Sequence, residues 1–183
     1  IIIFGGLQSL LFYTSMTWLP TIAISAGLSN SDAALLASIF SLISIPFSMT
    51  VPSLTTHLSD GHRRIMLTII SIAGMTGIAM LLYPSSSFLY WLVVHILIGT
   101  ACSALFPYLM VCFSLKTSSP EKTAQLSGLA QTGGYILAAF GPTLFGYSFE
   151  LFQSWIPAVL ALLAIDIIMT IPLFMVDRAD KIL

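Results

Sequence analysis

The stretch "WIPAVLALLAIDIIMTIPLFMV", residues 155–176, holds a single charge, Asp166, near its middle. At about 1.5 Å rise per residue, an α-helix of this length crosses the roughly 30 Å hydrocarbon layer of a bilayer. Its apolar residues do not alternate with period two, as those of a barrel strand would. It leaves no polar stripe to face water, so it is not a surface helix of a soluble domain. This stretch therefore sets the expectation of an integral membrane protein. Composition extends that expectation to the whole chain. Hydrophobic residues make up 57% of it and charged residues 7%, far from the roughly 25% charge of soluble domains. The formal net charge of −1 offers no basic patch for phosphates, which argues against a nucleic-acid partner.

Working outward, apolar runs between polar breaks predict six spans at about 2–26, 33–56, 65–83, 88–115, 123–149 and 155–176. The connections "GLSNS", "HLSDGHR", "YPSSS", "KTSSPEK" and "LFQS" are short, so sequence neighbours run antiparallel. The predicted fold is all-α, with six transmembrane helices. Arg63 and Arg64 fall in the second connection, Lys116 and Lys122 in the fourth, and Arg178 and Lys181 in the tail. All six basic residues thus lie on one side. The positive-inside rule makes that side cytoplasmic, with both termini inside, in a multi-pass protein of the cell membrane.

Local signals fit this layout. Asn30 or Ser31 is expected to cap the second helix, with Asp32 in its first turn, and Ser119, Pro120 and Glu121 start the fifth. Trp18, Trp91 and Trp155 are expected at the outer ends, in the headgroup layer. The opening has no basic n-region of a signal peptide. Cys102 and Cys112 share one helix, about 15 Å apart along its axis, which excludes a disulfide between them within it. No metal-ligand cluster is visible, and no cofactor is expected.

A loose internal echo links "LPTIAISAGLSNSDAALLAS" (19–38) with "FPYLMVCFSLKTSSPEKTAQLSG" (106–128). Each runs from a helix-end Pro through a hydroxyl-rich cap into a small-residue helix. This predicts two inverted three-helix repeats, about 1–83 and 88–177, an arrangement found in transporters.

"GGLQSLLFYTSMTWLP" (5–20) resembles the seventh transmembrane helix of the major facilitator superfamily, and more narrowly its cyanate/2-nitroimidazole transporter family. "SLISIPFSMTVP" (41–52), "GTACSALFPYLMVCFSLKT" (99–117) and "AQLSGLAQTGGYILAAFGPTLFGY" (124–147) continue the resemblance in order. It implies that residues 1–183 form the C-terminal half, helices 7–12, of a twelve-helix carrier. An absent N-terminal six-helix half would then account for the missing initiator Met. The resemblance also implies a cytoplasmic latch where the family carries Gly-x-x-x-Asp-Arg-x-Gly-Arg-Arg. Here "THLSDGHRR" (56–64) keeps Asp60, Gly61, Arg63 and Arg64; Thr56 replaces the leading Gly, and the Arg after Asp is missing. The alternative for this segment is a solvated turn that fixes topology.

Polar side chains inside spans face the bundle interior or a cavity. Gln8, Phe12 and Ser15 share a face of the first helix, with Tyr13 on the adjacent stripe. Ser127, Gln131 and Tyr135 recur at i, i+4 and i+8 in the fifth helix, and His95, Gly99, Cys102 and Phe106 line a face of the fourth. Gln8, Phe12, Tyr13, Ser15, Phe106, Gln131 and Tyr135 are therefore candidates for a substrate cavity that holds a small, planar, polar solute. Interhelical packing uses the same residue types and is the alternative. Asp166 and His95 are candidates for proton coupling. An acid in mid-span costs about 2.5–3.5 kcal/mol on insertion scales. Thr170, one turn on, is a possible structural partner for it, and the last helix of the resembled fold is expected to pack outside the cavity. No Lys or Arg lies within a span, so an anionic solute would find no fixed positive charge here.

The functional expectation is secondary active transport of a small polar or anionic solute, cyanate- or nitroimidazole-like, by alternating access. Two alternatives are weaker. An intramembrane enzyme would want a second acid, a nucleophile motif or clustered metal ligands, and none is seen. A channel subunit would want a filter or charged ring. The isolated polypeptide is expected to cover its bared cavity face by self-association, as a homodimer.

Overall fold

The computed structural model describes residues 1–180. Within them the chain is all-helical: α1 (Ile2–Ser25), α2 (Asn30–His57), α3 (Asp60–Met80), α4 (Phe88–Leu115), α5 (Pro120–Phe152) and α6 (Ile156–Arg178). Five of these, all but α5, are long and apolar enough to cross a membrane. α5 is long, but Ser127, Gln131, Thr132 and its glycines dilute its hydropathy. Lys181, counted among the basic residues of the tail, lies outside the described residues.

Helix α4 is the centre of the bundle, burying Trp91, His95, Ile98, Leu105 and Tyr108 along one length. It packs on α2 and α3, while α1 packs most extensively on α5 and touches α2, α4 and α6 as well. Helices in lipid gain little from the hydrophobic effect against one another, so close approach of backbones must supply the contact. Gly134 of α5 provides it: a Cβ there would sit 3.3 Å from the Gly6 amide nitrogen of α1. By contrast α2 buries only Ala33, Leu36, Phe40, Val51 and Thr55 and leaves Leu42 and Met49 bare.

Helix ends correct several sequence expectations. The cap of α2 is Ser29, whose hydroxyl accepts from the Asp32 amide at 3.1 Å, in place of Asn30 or Ser31. Helix α3 starts at Asp60, not near 65, because Ser59 is extended and Asp60 places its charge in the first turn, where the helix dipole favours it. The connection "HLSDGHR" thereby shrinks to Leu58 and Ser59, and Arg63 and Arg64 are helical. Ser119 does cap α5, accepting from the Lys122 amide, with Pro120 at the first helical position. After α1 the chain reverses at Gly27, whose φ of 105° suits glycine alone without strain.

The tryptophans divide. Trp18 and Trp155 meet at one end of the bundle with Phe145 and Phe149, the ring centroids of Phe149 and Trp155 being 4.0 Å apart. Trp155 donates to Ser25 Oγ at 3.1 Å, and Trp18 to the Pro142 carbonyl at 2.8 Å. Trp91 is wholly buried and donates to the Ser85 carbonyl at 2.7 Å, so it is a core residue and not a lipid-facing indole.

Candidate functional site

Along the inner side of α1, α2, α4 and α5 lies a vestibule of about 220 Å³. Among the expected cavity residues, Gln8, Phe12, Tyr13, Phe106 and Tyr135 line it. Sequence reasoning missed the hydroxyls that complete it: Ser9, Ser44, Ser48 and Ser103. Ser44 and Ser48 stand one turn apart, and Ser103 stands four residues before Pro107, which also lines the space. Proline has no amide hydrogen, so Pro107 withdraws the donor that would close on the Ser103 carbonyl. Irregular backbone of this kind is tolerated at membrane depth where it lines a cavity. The Ser103 hydroxyl is buried without a hydrogen-bond partner. Tyr13 meets Phe12 and Tyr135 edge-on, with centroids 5.3 and 6.4 Å away. The lining thus offers aromatic faces and neutral hydrogen-bonding groups and no charged side chain.

Gln131 is not brought to this space. It is half-buried, and its amide donates to Ser127 Oγ, one turn back on its own helix, at 2.8 Å. Gln8, in contrast, is 2% exposed and donates through Nε2 to the Cys102 carbonyl at 3.0 Å, joining α1 to α4.

Behind Gln8 a chamber of about 10 Å³ opens between α1, α3, α4 and α6. Gln8 and Cys102 line both spaces. Asp166 points into the chamber, 3% exposed, with Oδ2 unpartnered. The last helix lines no part of the vestibule, yet it presents its acid to this separate chamber. Gly74 makes this possible, because a Cβ at that position would stand 3.1 Å from Asp166 Oδ2 and 2.8 Å from the Ala101 Cβ. Thr170 is not the partner expected for Asp166; its hydroxyl donates to the Ile167 carbonyl.

Ser15, the remaining cavity candidate, sits on the far wall of the chamber and not in the vestibule. It also lines a crevice of about 80 Å³ with His95, toward the Trp18 end. His95 is fully buried. Its Nδ1 lies 2.8 Å from the Trp91 carbonyl, which can only accept, so Nδ1 carries the hydrogen. Its Nε2 is unpartnered, as is the Ser15 hydroxyl.

At the other end, Arg63 Nε and Arg64 Nε reach Asp177 at 2.5 and 3.2 Å, and the Tyr108 hydroxyl donates to the same carboxylate at 3.1 Å. Arg63 also binds Asp60 at 2.9 Å. Burial opposes the charge of Asp177, but the hydrogen bonds and charge of Arg63, with those of Arg64 and Tyr108, hold its carboxyl below the usual carboxylate range. Lys116 closes the cluster by donating to the Asp177 and Ala179 carbonyls. The segment expected as a latch is thus engaged with α6, through an aspartate just past the predicted end of the last span.

Comparison with known proteins follows the same lines. The family model described as the Major Facilitator Superfamily matches residues 1–182. The chain is 32% identical over 169 residues to an uncharacterized transporter, YycB, of Bacillus subtilis (strain 168), covering 91% of this chain and 41% of that protein. It is 28% identical over 169 residues to the 2-nitroimidazole transporter of Escherichia coli (strain K12), covering 92% of this chain and 42% of that protein. It therefore spans about two-fifths of the length of these curated relatives. No solved structure matches it. Both relatives are named as transporters, and the apolar helices agree with a multi-pass membrane protein.

Proposed function

The chain belongs to the Major Facilitator Superfamily, and on that premise we propose that it forms the C-terminal half of a twelve-helix secondary transporter for a small polar or anionic solute. The vestibule carries the reading. Its volume of about 220 Å³ fits a small molecule, and its wall alternates rings (Phe12, Tyr13, Phe106, Tyr135) with neutral hydrogen-bonding groups (Gln8, Ser103). A flat heteroaromatic solute would stack on the first set and bond to the second. The relative named for 2-nitroimidazole supports that class. An anion such as cyanate would draw its positive charge from the other half, since no basic side chain lines this wall. The two halves would rock about the site, with α1–α3 and α4–α6 as inverted repeats and both termini cytoplasmic. The Arg63, Arg64 and Asp60 segment would hold one state of that cycle, with His95 and Asp166 supplying proton coupling.

The test is uptake and counterflow in vesicles that carry the whole transporter, with 2-nitroimidazole, cyanate and small organic acids as labelled solutes. Saturable counterflow of one of them is the expected result. Flux that rises linearly with concentration and shows no counterflow would sink the carrier reading in favour of a channel.

A further inference from the structure

Among the described residues six buried side-chain polar atoms have no hydrogen-bond partner, and three of them, His95 Nε2, Ser15 Oγ and Asp166 Oδ2, lie along the adjoining crevice and chamber. Ser15 lines both the His95 crevice and the Asp166 chamber, and Gln8 lines both that chamber and the vestibule. Buried polar groups without partners are uncommon and costly, and each asks for an explanation. Three in one file, ending at a carboxyl, share one.

We propose that His95, Ser15 and Asp166 form a proton relay that runs from the crevice at the Trp18 end to the chamber behind Gln8. The inference rests on reading the vestibule as the solute cavity. His95 is set up for the first step, because its Nδ1–H is committed to the Trp91 carbonyl and its Nε2 lone pair faces no protein donor. Nε2 takes a proton from the crevice, and the ring becomes imidazolium. Because no two of the three are in direct hydrogen-bond contact, water in the crevice carries that proton to Ser15 Oγ, as the Ser15 hydroxyl proton moves on through the chamber to Asp166 Oδ2. One proton has moved, His95 is neutral again, and the carboxylate has become the acid. The chamber has room for about one water, enough to bridge serine and acid and too little for a hydrated metal ion. Gln8 then reads the outcome: its Nε2 is held by the Cys102 carbonyl, while its Oε1 has only a long contact, 3.5 Å, from the Ser9 hydroxyl.

Few other groups intrude. Among the described residues, Cys102 of α4 is the one titratable neighbour that lines the chamber, and α1 and α3 bring none. His95 faces Ser15 of α1 and Phe40 and Ser41 of α2, none of them charged. Gly74 preserves the space, since any side chain there would displace the carboxyl.

Infrared spectroscopy of the whole transporter in lipid, with aspartate carboxyls carbon-13 labelled, tests the relay without any solute. A label-sensitive carboxylic-acid band that disappears in Asp166→Asn identifies the acid; Asp166→Glu, which loses the label sensitivity alone, serves if the first variant does not fold. We expect hydrogen–deuterium exchange of that band to slow at least tenfold in both Ser15→Ala and His95→Phe, and its frequency to shift in Gln8→Leu. Unchanged exchange in both relay variants, or no acid band from Asp166 between pH 6 and 8, would overturn the proposal. Because this readout needs no transport, slowed exchange without solute uptake would fault the carrier reading alone, and uptake with unaltered exchange the relay alone.

Discussion

Arg63 of α3 donates to Asp177 of α6 at 2.5 Å, and the carboxylate it reaches is completely buried. The pair joins two helices that are far apart in sequence at the end of the bundle where the positive charges gather. Arg64 reaches the same carboxylate at 3.2 Å, but its side chain is 42% exposed. A charge-assisted bond to a buried group contributes about 1.5–3 kcal/mol, whereas a half-exposed pair contributes about 0–1 kcal/mol. Arg63→Met should therefore lower the thermal midpoint in detergent clearly, and Arg64→Met by a third of that or less. Equal losses would show that the two arginines share the carboxylate evenly.

Acid should dissolve the same contact. Arg63, then Arg64 and Tyr108, outweigh burial and keep the Asp177 carboxyl below its ordinary value in the folded protein. A carboxyl lowered on folding adds stability at pH above its unfolded value of about 3.9, and that share fades as pH falls through the folded value. The gap in thermal midpoint between the parent and Asp177→Asn should thus be constant from pH 7 to about pH 5 and narrow progressively as pH falls below about 4. A gap as wide at pH 3 as at pH 7 would mean the variant acts through packing and not charge.

For the vestibule, Gln8 and Gln131 give a paired comparison. Gln8 is locked across helices to Cys102, and Gln131 is turned onto Ser127 of its own helix. Gln8→Leu should raise the KM for uptake about tenfold, the cost of roughly 1.4 kcal/mol in lost hydrogen bonding. Gln131→Leu should leave KM within about twofold. Uptake kinetics in vesicles decide it, and the reverse order would move the solute site toward α5.

How far the sequence could be read depended on where polarity was local. The limits of α4, 88–115, emerge unchanged because "YPSSS" and Lys116 bracket a continuous apolar run. The start of α3 was obscured by "SDG", which reads as a turn, yet Asp60 belongs to the first helical turn and Gly61 meets no neighbour. Asp177 was overlooked because it falls one residue past the predicted span. Asp166 could be placed in depth but not in direction. Helix α6 is apolar around its whole circumference, so no periodicity tells which side faces α1 and α3. Gln131, conversely, carried its answer openly, with Ser127 at i−4 as a partner within reach.

Helix contact makes a separate prediction. Gly134 lets α1 and α5 approach until a Cβ would lie 3.3 Å from backbone, which cannot yield as a side-chain tip can. Gly134→Val should push the helices apart and cost about 1–3 kcal/mol, the range for overpacking. Gly128→Val, on the same helix with no neighbour within 4 Å, is the control and should lose less than about 1 kcal/mol. Midpoints of thermal unfolding in one detergent compare them directly.

Orientation is the last quantity that experiment can fix. The two bundle ends differ in chemistry: Arg63, Arg64, Lys116 and Asp177 gather at one, and Trp18, Trp155 and Ser25 at the other. If the positive-inside rule governs, the first end faces the cytoplasm. The native thiols do not interfere, since Cys102 and Cys112 are both buried. Ser86, between α3 and α4, and His62, in the first turn of α3, are both exposed and sample opposite ends. Cysteines are introduced there as Ser86→Cys and His62→Cys. In intact cells a membrane-impermeant maleimide should label the cysteine at position 86 and spare that at position 62. After permeabilisation both should react. Labelling of position 62 alone in intact cells would invert the bundle and place the Arg63–Asp177 contact outside.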